Sequence, residues 1–379
     1  MHDVAIVGAG LLGLAAAREV VARGRDVVVL EQAEIGHQDS GSKGGCRIFR
    51  LGYPDPGYVA AALYARELWR ELEAEAGRLL LIPAPQLTFG PQLRAVHDAM
   101  TAAGAPCELL AQPEVARRFG AMAIAGEALL ETQSCVIAAD QTLDALALAA
   151  GLRQPDGRLR TGVRVTRVTD DGRQVTLDTT AGTLTARTVV LTAGPWTAGL
   201  LGPALTLPAE ATLEQIAYLE PAGPLREPAP IFIRYGDPSP YGLPVPGTDR
   251  YKLGIHRSGP AVVADEQFQD PDPTLMPQLL EVARAYLPGY KPEPVATERC
   301  VYDNTPDEDF VVDRIGQVVI GCGTSGHGFK FGPLFGRWLA ALALDGPAAL
   351  ADAAAPFGPA WPANRFSLAR FTSDSARAS

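Results

Sequence analysis

The chain opens on an unbroken apolar run, Val4-Ala5-Ile6-Val7, followed at once by Gly8-Ala9-Gly10-Leu11-Leu12-Gly13. Leu14 to Arg23 is Ala-rich with helical spacing, and Gly24 predicts its end. Val27-Val28-Val29-Leu30 is a second continuous apolar run, closing on Glu31. Runs without polar alternation predict parallel strands covered on both faces, so the beginning reads strand, tight turn, helix, strand. Residues 37–47 are rich in Gly and Ser and predict a loop. Tyr58 to Ala76 has amphipathic spacing, with Val59, Leu63, Trp69 and Leu72 on the core side. Residues 80–135 mix short strands and helices, and Thr142 to Ala150 predicts a short apolar helix. Between 161 and 193 the pattern becomes a small meander: Val163 to Val168, Val175 to Thr179 after an Asp171-Gly172 turn, Thr183 to Ala186, then Val189-Val190-Leu191. Prolines crowd residues 202–248, which predicts edge strands and loops. Val311-Val312-Asp313 and Val318-Val319-Ile320 around Gly316 predict a hairpin. A Gly-rich turn and a helix from about Leu334 to Leu344 follow, and the polar tail from Ser373 is expected to fray.

Length and composition narrow this picture. A chain of 379 residues exceeds one ordinary core and predicts two domains. With 47% hydrophobic and 20% charged residues it should be globular and soluble. The formal net charge of -10 argues against a nucleic-acid partner and leaves room for a local cationic pocket. No apolar run approaches the ~18 residues that cross a bilayer. Asp3 precedes the first apolar run and no basic region does, so a signal peptide is a poor reading. The five cysteines, Cys46, Cys107, Cys135, Cys300 and Cys322, form neither a metal motif nor a disulfide framework. They read as buried thiols in a reducing cytoplasm, and no metal is expected.

Gly8, Gly10 and Gly13 form G-x-G-x-x-G. The first glycine permits the tight turn, the second lets backbone approach a pyrophosphate, and the third lets the helix pack near the strand. Phosphates then meet free N–H groups at the helix N-terminus. Glu31 lies 18 residues after Gly13, where a carboxylate accepts a ribose hydroxyl bond. The motif alone does not separate FAD from NAD. Thr188-Val189-Val190-Leu191-Thr192-Ala193-Gly194, an apolar strand running into small residues after a meander, favours FAD.

Four segments carry a resemblance that spans nearly the whole chain. They are the fingerprint through Glu31; Gly41-Ser42-Lys43-Gly44-Gly45-Cys46-Arg47-Ile48-Phe49-Arg50 with Tyr53 and Arg66-Glu67-Leu68-Trp69; Tyr241-Gly242-Leu243-Pro244 with Lys252-Leu253-Gly254-Ile255-His256; and Cys300-Val301-Tyr302, Pro306-Asp307-Glu308-Asp309-Phe310 and Ser325-Gly326-His327-Gly328-Phe329-Lys330-Phe331. The chain resembles the D-amino-acid-oxidase superfamily, and within it the monomeric sarcosine oxidases and N-methyltryptophan oxidases. The resemblance implies an α/β fold: a Rossmann-type FAD-binding domain from 1–80, 142–215 and 300–379, and a discontinuous α+β substrate domain on a mixed β-sheet from 81–141 and 216–299. It also implies a cytoplasmic monomer.

The same resemblance assigns site residues. Arg50 and Lys330 match the pair that binds the substrate carboxylate, with Tyr53 and Tyr302 beside them; arginine suits this by its two-pronged geometry. Arg47 matches an arginine packed near the flavin ring. Lys252 matches the lysine that helps oxygen react with reduced flavin, since a fixed cation stabilises a developing superoxide charge. His256 and Tyr241 match pocket residues. Cys300 matches the cysteine bonded covalently to the flavin. Leu11, Leu12, Ser42, Val165, Ala193, Gly194 and Trp196 would contact FAD, as would Gly326, His327, Gly328 and Phe329, whose turn aims N–H groups at the flavin's pyrimidine edge. Read without the resemblance, Arg50 and Lys330 are surface salt-bridge residues, Lys252 a strand-edge lysine and Cys300 a buried thiol. Lys43 departs from the family, standing where sarcosine oxidase has a histidine beside the flavin, which turns the expectation from sarcosine toward another amino acid, a cyclic imino acid or another amine. The expected reaction is FAD-dependent oxidation of the C–N bond of a carboxylate-bearing amine, with O2 as acceptor. The alternatives are a dehydrogenase of the same fold and a catalytically silent flavoprotein subunit.

Overall fold

The computed structural model describes residues 1–201, 207–266, 270–350 and 364–371. The tail from Ser373 lies outside them. Strands gather into three sheets. The first has eight strands and is centred on His2–Val7, which runs parallel to Val27–Leu30 on one side and to Gly182–Leu191 on the other. All four of Val4, Ala5, Ile6 and Val27 are fully buried, as continuous apolar runs require. Helix Leu11–Ala22 returns over this sheet and packs along Gly332–Asp345.

The meander is simpler than its sequence pattern. Thr183–Ala186 and Val189–Leu191 belong to one strand, Gly182–Leu191. Its first half pairs antiparallel with Val175–Thr179 and its second half parallel with His2–Val7, so Ala186 faces both Val175 and His2. Val318–Cys322 joins its other side, and Val311–Ile315 completes the expected hairpin.

The second sheet has nine strands and is mixed: Ile231–Arg234 runs parallel to Gln86–Phe89, and the other pairings are antiparallel. Here the expectation of edge strands over 202–248 needs correction. Glu210–Pro221 is a long interior strand, flanked by Tyr251–His256 and Ala261–Val262 on one side and Tyr290–Asn304 on the other. The prolines sit before residue 210 and from 221 onward, so the donors between them are free to build a ladder. The third sheet is small: Cys46–Phe49, Cys135–Ala138 and Leu81–Pro83. The loop expected over 37–47 therefore ends at 45, where the Gly and Ser run out and Cys46 and Phe49 bury themselves.

Helix Pro56–Ala76 starts on an Asp55 cap and ends on Gly77 at φ 64°. Val59, Trp69 and Leu72 are fully buried and Leu63 partly so. Helix Met276–Tyr286 supports a separate core under the second sheet through Leu279, Val282 and Ala283. Among the described residues, no helix is long and apolar enough to cross a membrane.

Candidate active site

The glycine turn is closed by backbone. Gly8 has φ 98°, and a side-chain carbon there would lie 2.5 Å from the Thr192 carbonyl oxygen. One at Gly13 would lie 2.0 Å from the Gly8 oxygen, a distance no real atom holds. Leu11 N–H, the first in the helix, donates to Ser42 Oγ at 3.0 Å. Glu31 is buried at the end of its strand and accepts from Ala9 N–H at 2.8 Å and Ala33 N–H at 3.0 Å. These contacts fit a dinucleotide: a turn no side chain can enter, a helix N-terminus facing outward, and an acid beside it.

That turn opens onto a cavity of ≈ 1190 Å³, above the ~300–1,000 Å³ of ordinary small-molecule sites. Gly8, Gly10, Leu11, Leu12, Glu31, Ser42, Val165, Ala193, Gly194 and Trp196 line one end. Lys43, Arg47, Arg50, Tyr53, Tyr241, Lys252, His256, Cys300, Tyr302, Gly326, His327, Gly328, Phe329 and Lys330 line the rest. Of the sequence-derived site residues only Gly13 is off the wall, because it packs against Gly8. Three sheets converge here. Arg47 comes from the small sheet, Lys252, Cys300 and Tyr302 from the large one, and Lys330 from the turn before helix Gly332–Asp345.

Arg50 and Lys330 form one cationic group. Both are over nine-tenths buried. The Arg50 guanidinium lies 3.8 Å over the Tyr53 ring and donates to Tyr235 Oη at 2.6 Å and to the Gly52 carbonyl. Lys330 Nζ donates to Tyr53 Oη at 2.9 Å and to the His327 carbonyl at 2.5 Å. Burial, reinforced by Arg50, holds the Lys330 amine well below the usual lysine value. Burial, with Lys330 beside it, does the same to His327. Burial pushes the Tyr53 phenol up, so it stays neutral.

Arg47 and Lys252 form a second group. Arg47 Nη1 and Lys252 Nζ donate to the same Cys46 carbonyl, at 2.9 and 3.1 Å. Arg47 Nη2 also reaches the Lys43 carbonyl at 2.5 Å and lies 3.9 Å from Cys300 Sγ. Lys252 is interior to its sheet and 4% exposed, which overturns the strand-edge reading. Burial and then Arg47 lower its pKa. Lys43 is buried, donates to Gln38 Oε1 at 2.9 Å, and its pKa is lowered by burial. It also lines a smaller neighbouring cavity of ≈ 420 Å³. Among the described residues, none of Lys43, Arg47, Arg50, Lys252 and Lys330 ion-pairs with a carboxylate. That overturns the surface salt-bridge reading of Arg50 and Lys330 as well. Cys300 is half-buried and faces the cavity.

His256 stands between the Tyr302 ring, at 5.6 Å, and the Glu308 carboxylate, at 3.7 Å. Glu308, also paired with Arg257 at 2.6 Å, has its pKa held at about 2. The Tyr302 ring occupies the space a side chain at Gly326 would need. Burial raises the phenols of both Tyr241 and Tyr302. Two further residues carry no sequence signal that singles them out. Tyr235, between Arg234 and Gly236 in the proline-rich stretch, holds Arg50. Glu131 ends a buried apolar strand and accepts from Leu51 N–H at 2.8 Å and Gly52 N–H at 3.1 Å, fixing the turn that Arg50 grips. Among the described residues no cluster of three His, Cys, Asp or Glu could hold a metal ion.

A nucleotide turn and a group of basic side chains without carboxylate partners among the described residues share one cavity, lined from a sheet with a parallel centre and from a second, mixed sheet, as suits a flavoprotein oxidoreductase. The family described as "FAD dependent oxidoreductase" (DAO) matches residues 3–342, and the chain belongs to it. It is 31% identical over 369 residues to the peroxisomal sarcosine oxidase of Homo sapiens, covering 91% of this chain and 92% of that protein. It is 28% identical over 390 residues to the N-methyl-L-tryptophan oxidase of Yersinia pestis, covering 98% and 99%. Among solved structures, the open form of NikD, an unusual amino acid oxidase essential for nikkomycin biosynthesis, superposes with a TM-score of 0.83 at 28% identity over 97% of each chain.

Proposed function

We propose that the protein binds FAD along the large cavity, linked covalently through Cys300, and oxidises the C–N bond of a carboxylate-bearing amine to an imine, with O2 reduced to H2O2. The observation that carries this reading is the set of buried cations on one wall, unpaired among the described residues. Burying a cation is costly unless an anion meets it, so the site is built for anions that arrive from outside. The names of the relatives support amino acids as the substrate class.

FAD, when bound, supplies a two-electron acceptor for the C–H bond next to nitrogen. The chain's own residues do the rest. Gly8, Gly10 and the Leu11–Ala22 N-terminus receive the pyrophosphate, and Glu31 the ribose. Arg50 and Lys330 hold the substrate carboxylate, with Tyr53 and Tyr302 beside them. The Arg50 charge also favours loss of a proton from the nearby ammonium, as the reaction requires. Lys252, with Arg47 next to it, stabilises negative charge as it develops on dioxygen. Arg47 Nη2 stands 3.9 Å from Cys300 Sγ, the atom that would carry the covalent bond. Tyr241 and His256 shape the wall, and Lys43 makes the region near Cys300 more cationic.

The domain division remains part of the proposal: 1–80, 142–215 and 300–379 around the flavin, 81–141 and 216–299 over the substrate. It draws support from the first sheet, whose strands come from 2–30, 159–191 and 311–322. The Glu210–Pro221 and Tyr290–Asn304 strands run in the second sheet, so 210–215 and 300–304 serve both parts. A cytoplasmic monomer completes the reading. The test is peroxide production by FAD-loaded protein across N-methyl, cyclic and primary amino acids. One class should give peroxide; none giving peroxide or bleaching the flavin overturns the proposal.

A further inference from the structure

The hydrogen bonds around Lys330 have a fixed direction. His327 Nε2 lies 3.0 Å from the Glu308 carbonyl oxygen, which only accepts. That nitrogen must therefore carry a hydrogen. Burial keeps the imidazole neutral, so Nδ1 is the acceptor. Tyr53 Oη, 3.1 Å from Nδ1, donates to it. The Tyr53 oxygen then has lone pairs facing Lys330 Nζ at 2.9 Å and receives a hydrogen from it. The second Lys330 partner is a carbonyl, His327 O, again only an acceptor. Two N–H groups of Lys330 are thus committed, and the remaining valence of the nitrogen faces the cavity that Lys330 lines.

A neutral amine there points its lone pair into that space, and nothing in the protein shell favours an ammonium instead: Arg50 stands beside it and, among the described residues, no carboxylate pairs with it. Among the described residues, Tyr53 and His327 bond Nζ and Arg50 acts on it, while Tyr58 stands behind Tyr53 and Glu308 behind His327. Arg50 disfavours a second cation beside it. Tyr58 donates to Asp309, and the Glu308 carboxylate is taken by Arg257. No carboxylate in this shell pairs with Lys330.

We infer that Lys330 waits as a neutral amine and takes the proton from the substrate's ammonium as the carboxylate binds. Resting on the function proposed above, the step balances without an outside base. The substrate's N–H bond breaks, an Nζ–H bond forms, and the electron pair of the broken bond stays on the substrate nitrogen. The products are a neutral amine, which is the form that can be oxidised, and a Lys330 ammonium, which is the form that pairs with the carboxylate. Tyr53 and His327 are positioning residues: they occupy two N–H groups so that the third position faces the ligand.

Propionate, a carboxylate with no proton to give, isolates this capacity. In FAD-loaded protein its binding is followed by the perturbation of the flavin spectrum, and proton exchange by an indicator dye in weak buffer between pH 7 and 9. A neutral Lys330 must take a proton from solvent to meet propionate. About one proton should be taken up per propionate, and the dissociation constant should rise about tenfold per pH unit. Lys330→Arg, charged throughout, should bind with no uptake and no slope. Wild-type binding without uptake or slope overturns the inference and leaves the carboxylate clamp standing. Equal uptake in Lys330→Arg assigns the proton elsewhere and also overturns it. If Lys330→Arg does not fold, Lys330→Gln, which cannot take the proton, replaces it and should likewise show no uptake and no slope. Propionate that never perturbs the flavin removes the clamp, and this inference with it.

Discussion

The two cationic groups on the cavity wall are built differently. Arg50 and Lys330 rest on aromatic hydroxyls, Tyr235 Oη and Tyr53 Oη, and on the carbonyls of Gly52 and His327. Arg47 and Lys252 share one carbonyl, Cys46 O. The first group gathers two donor sets about Tyr53, whose ring centroid lies 3.8 Å from the Arg50 guanidinium and 5.4 Å from Lys330 Nζ. The second concentrates charge at one point next to Cys300. Two separate donor sets suit an anion that arrives whole. A concentrated one suits charge that appears during reaction. The proposed division of labour, carboxylate at the first and oxygen at the second, is what the family resemblance implies, and it fits that contrast.

Removing Arg50 should have the largest effect. Arg50→Ala should weaken carboxylate substrates by about 2–5 kcal/mol, the usual loss for one partner of a buried charge-assisted pair. Comparing kcat/KM for an active amino acid and its amide checks this: the variant should lose the preference for the acid. Equal losses for both would erase the contrast between the groups.

Lys252→Met keeps the length of the side chain and removes its charge. Reoxidation by oxygen should slow ~100- to 1000-fold, while anaerobic bleaching by substrate changes far less. Rapid mixing separates the two halves. Normal reoxidation would move the oxygen role to another cation, with Lys43 first in line.

Cys300→Ala should fold and hold FAD without the bond. After acid precipitation the wild-type pellet should be yellow and the variant's colourless. Yellow in the supernatant of mature wild type would remove the covalent assignment.

Tyr53→Phe should have the smallest effect. It deletes the hydroxyl between Lys330 and His327, worth about 0.5–1.5 kcal/mol, and should raise KM a few-fold with kcat little changed. A loss as large as that of Arg50→Ala would mean that Tyr53 carries substrate directly.

The nucleotide cradle was legible in the sequence because its parts are local. Strand, glycine turn, helix, second strand and Glu31 follow one another within 31 residues, and each has a backbone reason to be what it is. The cationic groups were not legible that way. Residues 47, 50, 252 and 330 meet only because three sheets converge, and nothing near Lys252 in sequence tells an edge lysine from an interior one. There the family resemblance supplied what spacing did not. The interior strand Glu210–Pro221 was missed because flanking prolines coloured a stretch that contains none before its last residue. Tyr235 and Glu131 stayed invisible since their importance lies wholly in what Arg50 and Gly52 do in three dimensions.

If this pocket selects the carboxylate of an amine and oxidises the bond beside its nitrogen, anaerobic mixing of FAD-loaded protein with an amino acid, its amide and its decarboxylated amine will show it. The amino acid should bleach the flavin, and the other two should do so at least about thirtyfold less efficiently, the ~2 kcal/mol lower bound of one buried charge pair. Equal bleaching by all three would contradict it.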